Sequence, residues 1–165
     1  MRNRGFEVCS KYINSELTAP IRKTKYSVGY DFYSATDIVI PSIWKNVFKL
    51  FKGNKEEIKP TLIPTGYKAY FNEDEVLILA NKSSFPIKKG LIMGNSIGII
   101  ESDYYNNESN EGELFFQYYN ISPFDLKITK GECIGQAYFQ KFLIADEDNN
   151  SNAVRKGGFG STDNN

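Results

Sequence analysis

The run Val76-Leu77-Ile78-Leu79-Ala80 is the longest uninterrupted apolar stretch of the chain, and it decides between a membrane span and a strand. A span needs about 20 apolar residues, so five read as a strand. The neighbouring runs are of the same kind. Tyr30–Ser34, Asp37–Ile40, Thr61–Pro64, Tyr67–Phe71, Leu91–Met93, Ile97–Ile100, Leu114–Tyr119, Leu126–Ile128 and Cys133–Leu143 are short and rich in β-branched and aromatic residues. Turn residues separate them, among them Gly29, Pro41, Pro60, Gly66, Gly90, Gly94, Gly112, Pro123 and Gly131. Many closely spaced strands in 165 residues predict one all-β domain, a sandwich or barrel.

Charge and residue usage narrow the chemistry. Twenty Lys+Arg balance twenty Asp+Glu, so there is no basic excess to hold a phosphate backbone, and no nucleic-acid partner is expected. The chain contains no His, which excludes Ser-His-Asp and Cys-His nucleophile pairs and His-based zinc sites. Any general base must be a carboxylate, Lys or Tyr. Cys9 and Cys133 have no CxxC spacing and read as reduced packing residues. The N-terminal residues lack the apolar core of a signal peptide, and no membrane association is expected; the predicted location is the cytoplasm.

Two segments break the β rhythm. Ser42–Lys59 spaces Ile43, Trp44, Val47, Phe48, Leu50 and Phe51 as one face of an amphipathic helix, with Lys45, Lys49 and Lys52 between them. It reads as a helical insertion packing on the barrel, or alternatively as a surface for a regulatory protein partner. From Ala145 to Asn165 the chain becomes Asp-, Asn-, Ser- and Gly-rich, as a flexible arm would. The expected organisation is a barrel over residues 1–144 and an arm over 145–165.

Five stretches carry the functional signal. They are Ser27-Val28-Gly29-Tyr30-Asp31-Phe32-Tyr33-Ser34-Ala35; Asn81-Lys82-Ser83-Ser84-Phe85-Pro86-Ile87-Lys88-Lys89-Gly90-Leu91; Gly94-Asn95-Ser96-Ile97-Gly98-Ile99-Ile100-Glu101-Ser102-Asp103-Tyr104-Tyr105; Thr129-Lys130-Gly131-Glu132-Cys133-Ile134-Gly135-Gln136; and Arg155-Lys156-Gly157-Gly158-Phe159-Gly160-Ser161-Thr162. Singly each is weak. In this order and spacing they make the chain, from about Ser10 onward, resemble the trimeric dUTP diphosphatases (dUTPases) of Gram-positive bacterial or phage type.

The resemblance implies a distorted jelly-roll β-barrel and a homotrimer with a swapped C-terminal arm. Each active site then takes the first, second and fourth motifs from one chain, the third from a second chain and the fifth from the last. It also implies the ligand contacts. Asn95, with Gly98 and Ile100, lies in a β-hairpin slot that bonds uracil. Tyr104 packs on the deoxyribose and leaves no room for a 2′-hydroxyl; its other reading is an ordinary barrel aromatic. Lys82, Ser83, Ser84 and Gln136 hold phosphate oxygens. Arg155 reaches the γ-phosphate and Phe159 closes over the base, while Gly158, Gly160, Ser161 and Thr162 offer further donors. Asp31 faces the water shell of a Mg²⁺ ion, or else forms a structural ion pair.

The implied reaction is attack of water on the α-phosphorus of dUTP, giving dUMP and pyrophosphate, which limits uracil in DNA. Glu101 matches the base that activates the water, with a longer side chain than the family's Asp. On an extended strand Asp103 would share its face and could hold the water instead. Lys82 replaces an Arg and so lacks the planar fork that grips two oxygens. Asp163 stands where the family closes its fifth motif with Gly. Two functions therefore stay open at this level: a dUTPase, slowed by these departures, or a dUTPase-like protein that binds nucleotide with weak or no turnover, for sequestration, signalling or control of a protein partner.

Overall fold

A computed structural model of the chain describes residues 2–51 and 58–148. In chain order the strands are β1 (Gly5–Val8), β2 (Tyr30–Tyr33), β3 (Ile38–Ile40), β4 (Thr61–Pro64), β5 (Tyr67–Tyr70), β6 (Glu75–Asn81), β7 (Leu91–Met93), β8 (Ile97–Ile100), β9 (Phe115–Asn120), β10 (Leu126–Ile128) and β11 (Cys133–Lys141). Two helices interrupt them, α1 (Ile43–Phe51) and α2 (Phe85–Lys89). The strands form sheets β2-β11-β6-β8, β4-β9-β7, β1-β5 and β10-β3, with every strand pair antiparallel. The result is the all-β jelly-roll barrel that the motifs imply.

Alternation along the strands builds the core. In β9, Phe116, Tyr118 and Asn120 are buried while Phe115, Gln117 and Tyr119 are less so. In β6, Leu77 and Leu79 point inward to meet Phe32, Phe116, Ile134 and their neighbours, while the buried Glu75 at the strand's start pairs with Arg4. The apolar run that opened the reading is therefore inward on one face only. Its outer residues Val76 and Ile78 join Ile99 and Phe142 around one cavity, and Ile97 and Ile99 of β8 remain about half exposed, at 47% and 49%. An apolar sheet face of this kind is unusual on a solitary domain.

Within the expected Ser42–Lys59, α1 covers Ile43–Phe51, while Ser42, Ile58 and Lys59 are not helical; residues 52–57 lie outside the described residues. Ser42 precedes α1 and is fully buried, its hydroxyl donating to the Ser122 carbonyl at 2.6 Å and its N–H to Asp125 Oδ1 at 3.0 Å. Trp44 Nε1 donates to the Ile121 carbonyl at 3.1 Å. Packing on the barrel holds for this first turn; Phe48 is 65% exposed. The fifth motif lies outside the described residues.

Two elements escaped the sequence reading. α2 follows the second motif, where Pro86 in its first turn and Gly90 at its C-cap mark the ends. β1 precedes the motif region, and the turn that follows it is tied to the loop before β9. Ser10 donates from its N–H and its hydroxyl to Glu111 Oε2 at 2.9 and 2.6 Å, and Lys68 Nζ donates to Glu111 Oε1. The bond from Lys68, then those from Ser10, hold the Glu111 carboxyl down to about 2.

A carboxyl depressed in the folded state stabilises the fold above its unfolded value, near 4.3, and that contribution fades as pH falls toward 2. Glu111→Gln is therefore expected to lower the melting temperature at pH 7 and to flatten its decline between roughly pH 4.5 and pH 2. Melting curves across that range check it; an unchanged slope would assign the acid sensitivity to other carboxylates.

Candidate active site

β11 organises one end of the site. Gln136 pairs with Asp31 of β2 on one side and Ala80 of β6 on the other, so three strands present a single row. Lys82, Ser83 and Ser84 follow at the end of β6 and lead into α2. That helix is pinned from both ends: Phe85 is buried, and Lys89 pairs with Glu132 in the turn before β11. Lys82 Nζ donates to the Cys133 carbonyl at 3.4 Å and lies 5.6 Å from the centre of the Phe85 ring. Beneath this row, the buried Tyr118 hydroxyl is shared between Asn81 Oδ1 and the Ile134 carbonyl, at 3.0 and 2.6 Å. Burial pushes the Tyr118 phenol up, so it stays protonated and remains a donor.

Asp31 Oδ2 accepts Lys23 Nζ at 3.0 Å, an ion pair that matches the structural alternative for this residue. Its side chain is still about a quarter exposed, at 24%. One exposed carboxylate cannot cage a cation, and no group of three metal-ligating side chains occurs among the described residues. The donor set suits Mg²⁺ carried on substrate oxygens, which keeps its waters and asks of the protein one outer contact. Gly29 gives Gln136 its place: a Cβ there would meet Gln136 Oε1 at 2.3 Å.

The third motif runs along β8, the edge strand beside β6. Asn95 is exposed in the turn entering it, next to Ser96, whose φ is +60°. The turn joins β7 and β8, yet β7 pairs with β9 and β8 with β6, so the expected β-hairpin slot is a crossing between two sheets. Gly98 is buried over Leu79, and Ile100 is half-buried against the core. No described strand pairs with the backbone edge of β8 that faces away from β6.

One sequence-level reading changes here. β8 stops at Ile100, and Ser102–Tyr104 form a one-turn 3₁₀ helix closed by the Tyr104 N–H on the Glu101 carbonyl at 3.1 Å. Glu101 and Asp103 therefore do not share a strand face, because the strand has already ended. Both are exposed. Tyr104 is 5% exposed and belongs to the core, and its hydroxyl donates to the Glu113 carbonyl at 3.1 Å. The barrel-aromatic reading of Tyr104 describes the single chain.

The register also separates the two halves of the site. Ile100 is opposite Leu77, which puts Glu101 level with Val76, whereas Lys82 lies six residues further along β6. At about 3.3 Å per residue the gap is about 20 Å. One α-phosphorus cannot touch both within one subunit.

The sequence model of the dUTPase family matches residues 15–163. The chain belongs to the dUTPase family. It is 44% identical to the deoxyuridine 5′-triphosphate nucleotidohydrolase of Lactococcus lactis over 98% of this chain and 99% of that one. The crystal structure of a dUTPase from Streptococcus mutans covers 86% of this chain and 98% of its own, at a TM-score of 0.73 and 37% identity. Both relatives agree with the Gram-positive type expected from the motifs. The dUTPase of Staphylococcus aureus phage phi11, described with a structural Mg(II) ion, shares the fold at a TM-score of 0.64 and 16% identity, covering 91% of this chain and 97% of its own.

Gly29→Ala tests the positioning of Gln136 in this dUTPase-family fold. The amide end of Gln136 can move aside but its Cβ, 3.1 Å from the added methyl, can give only slightly, so a modest fall in melting temperature is expected while the Gln136 amide leaves the row and dUTP binding weakens. Loss of one hydrogen bond to a charged oxygen is worth about 1.5–3 kcal/mol, or roughly 10- to 100-fold in KM. A variant with parental KM would remove Gln136 from the phosphate contacts.

Proposed function

We propose that this chain is a Mg²⁺-dependent dUTP diphosphatase that acts as a homotrimer in the cytoplasm, hydrolysing dUTP to dUMP and pyrophosphate. The observation that carries the reading is the split along β6. Phosphate-type donors gather at one end, and the candidate base stands about 20 Å away at the other, beside an apolar face left uncovered. A second copy covering that face would bring its Glu101 to the first copy's phosphate row. Full-length similarity to a nucleotidohydrolase favours turnover over a binding-only role.

In this mechanism Lys82, Ser83, Ser84 and Gln136 hold the phosphate chain from one subunit, and Asp31 would be the protein's outer contact to a Mg²⁺ ion, which when bound would neutralise charge on the phosphates. From the second subunit Asn95 and the backbone of Gly98 and Ile100 bond uracil, and Tyr104 excludes a 2′-hydroxyl. Glu101 orients the attacking water in line with the leaving pyrophosphate and takes its proton, with Asp103 the second carboxylate nearby. Arg155, Gly158, Phe159, Gly160, Ser161 and Thr162 come from the third subunit's arm. Lysine in place of arginine at 82 keeps the charge but not the two-point grip.

Single-turnover hydrolysis, scored beside nucleotide binding, tests the assignment. Glu101→Gln should bind dUTP and hydrolyse it at least about 100-fold more slowly, whereas Glu101→Asp should be at least as fast as the parent. A chain ending at Ala153 should remain trimeric and lose turnover. Parental rates in Glu101→Gln would dismiss this base, and a monomer at working concentration would dismiss the shared site.

The α1 insertion falls between the first and second motifs in the sequence, and its exposed Phe48 supports a surface open to a regulatory protein partner. Phe48→Ser should then leave both hydrolysis and melting temperature unchanged. A melting temperature lowered by several degrees would assign Phe48 to packing within the trimer.

A further inference from the structure

The loop between the Ser102–Tyr104 turn and β9 reads in sequence as a polar connector, Tyr105-Asn106-Asn107-Glu108-Ser109-Asn110-Glu111-Gly112. Folded, its amides close on Tyr104. Asn110 Nδ2 donates to the Tyr104 hydroxyl at 2.6 Å, and that hydroxyl donates onward to the Glu113 carbonyl at 3.1 Å. At the other end of the same residue, Asn107 Nδ2 donates to the Tyr104 carbonyl at 2.8 Å. The two amides are joined, because Asn107 Nδ2 also donates to Asn110 Oδ1 at 2.8 Å. Asn107 Oδ1 accepts from the N–H groups of Ser109 and Asn110 at 3.0 and 3.2 Å, which locks its rotamer, and Asn107 is only 7% exposed. Gly112 seals the loop. Its φ is +81°, and a Cβ there would meet the Tyr104 carbonyl oxygen at 2.6 Å.

We propose that Asn110 and Asn107 are positioning residues for sugar discrimination: they fix the Tyr104 ring at its hydroxyl and its backbone, and so set how closely the ring approaches C2′ of the bound nucleotide. This rests on the dUTPase reading, in which Tyr104 faces the deoxyribose. The physical reason is the steepness of repulsion. A ring free to retreat by a fraction of an ångström accepts a hydroxyl that a fixed ring rejects. A connector that only supported the fold would affect dUTP and UTP alike. One that fixes this ring changes their ratio.

The experiment compares kcat/KM for dUTP and UTP in the full-length trimer, with folding followed by thermal melting. Asn110→Ala is expected to lower the dUTP-to-UTP ratio on the order of tenfold, the equivalent of one ordinary hydrogen bond. In a Tyr104→Phe background the hydroxyl is gone, and adding Asn110→Ala should change the ratio by less than about twofold. Should Asn110→Ala fail to fold, Asn110→Leu is the second variant. It keeps the branched shape but offers neither a donor nor an acceptor to the Tyr104 hydroxyl, and its ratio should fall likewise. An unchanged ratio in a folded Asn110 variant, or an equal fall in both backgrounds, overturns the proposal. A parent protein that does not hydrolyse dUTP, or does not prefer it to UTP, overturns the dUTPase reading instead.

Discussion

The seven-residue antiparallel ladder between β6 and β11, from Gly135–Asn81 to Lys141–Glu75, is the constraint on which the rest depends. A ladder of that length fixes register, because a slip of one residue would turn Leu77 and Leu79 out of the core and Val76 and Ile78 into it. With register fixed, Gln136 stands beside Asp31, and the end of β6 delivers Lys82, Ser83 and Ser84 to the same edge. The same ladder carries β8 on its flank and holds Glu101 at the far end. One set of backbone hydrogen bonds thus gathers the residues proposed to hold phosphate and keeps the proposed base away from them.

That separation gives the outer sheet face its meaning. Isoleucines on β6 and β8, with Phe142 beyond β11, leave apolar surface in solvent when the chain is alone. Burying such surface is favourable at roughly 25 cal/mol per Å², so in the proposed trimer association and assembly of the catalytic site would draw on one driving force. Glu101 sits at the margin of this face.

Around the third motif, polar groups do work that apolar packing does elsewhere. The N-terminal segment, Lys68, Glu111, Asn107 and Asn110 form a connected set of hydrogen bonds behind the Ser102–Tyr104 turn. Every one of its members bonds to a neighbour, as a network in a partly buried site must. Such a network resists small displacements, because moving one amide leaves its partners unpaired.

The sequence by itself determined the local elements and the inventory of chemistry. Alternation and turn residues gave the strands near their observed bounds, since period-two burial is written into residue type. The motif order named Asp31, Asn95, Glu101 and Gln136, and the absence of His left a carboxylate, Lys or Tyr as any general base. Only the tertiary structure decided how those residues are distributed. Strand register put Glu101 and Lys82 at opposite ends of β6, the early stop of β8 took Asp103 off the strand face, and long-range hydrogen bonds drew a connector of Asn and Glu onto Tyr104. The reason is physical: propensity and spacing act within a few residues, whereas register and polar networks join groups that are far apart in the chain, and nothing local encodes which partner they will find.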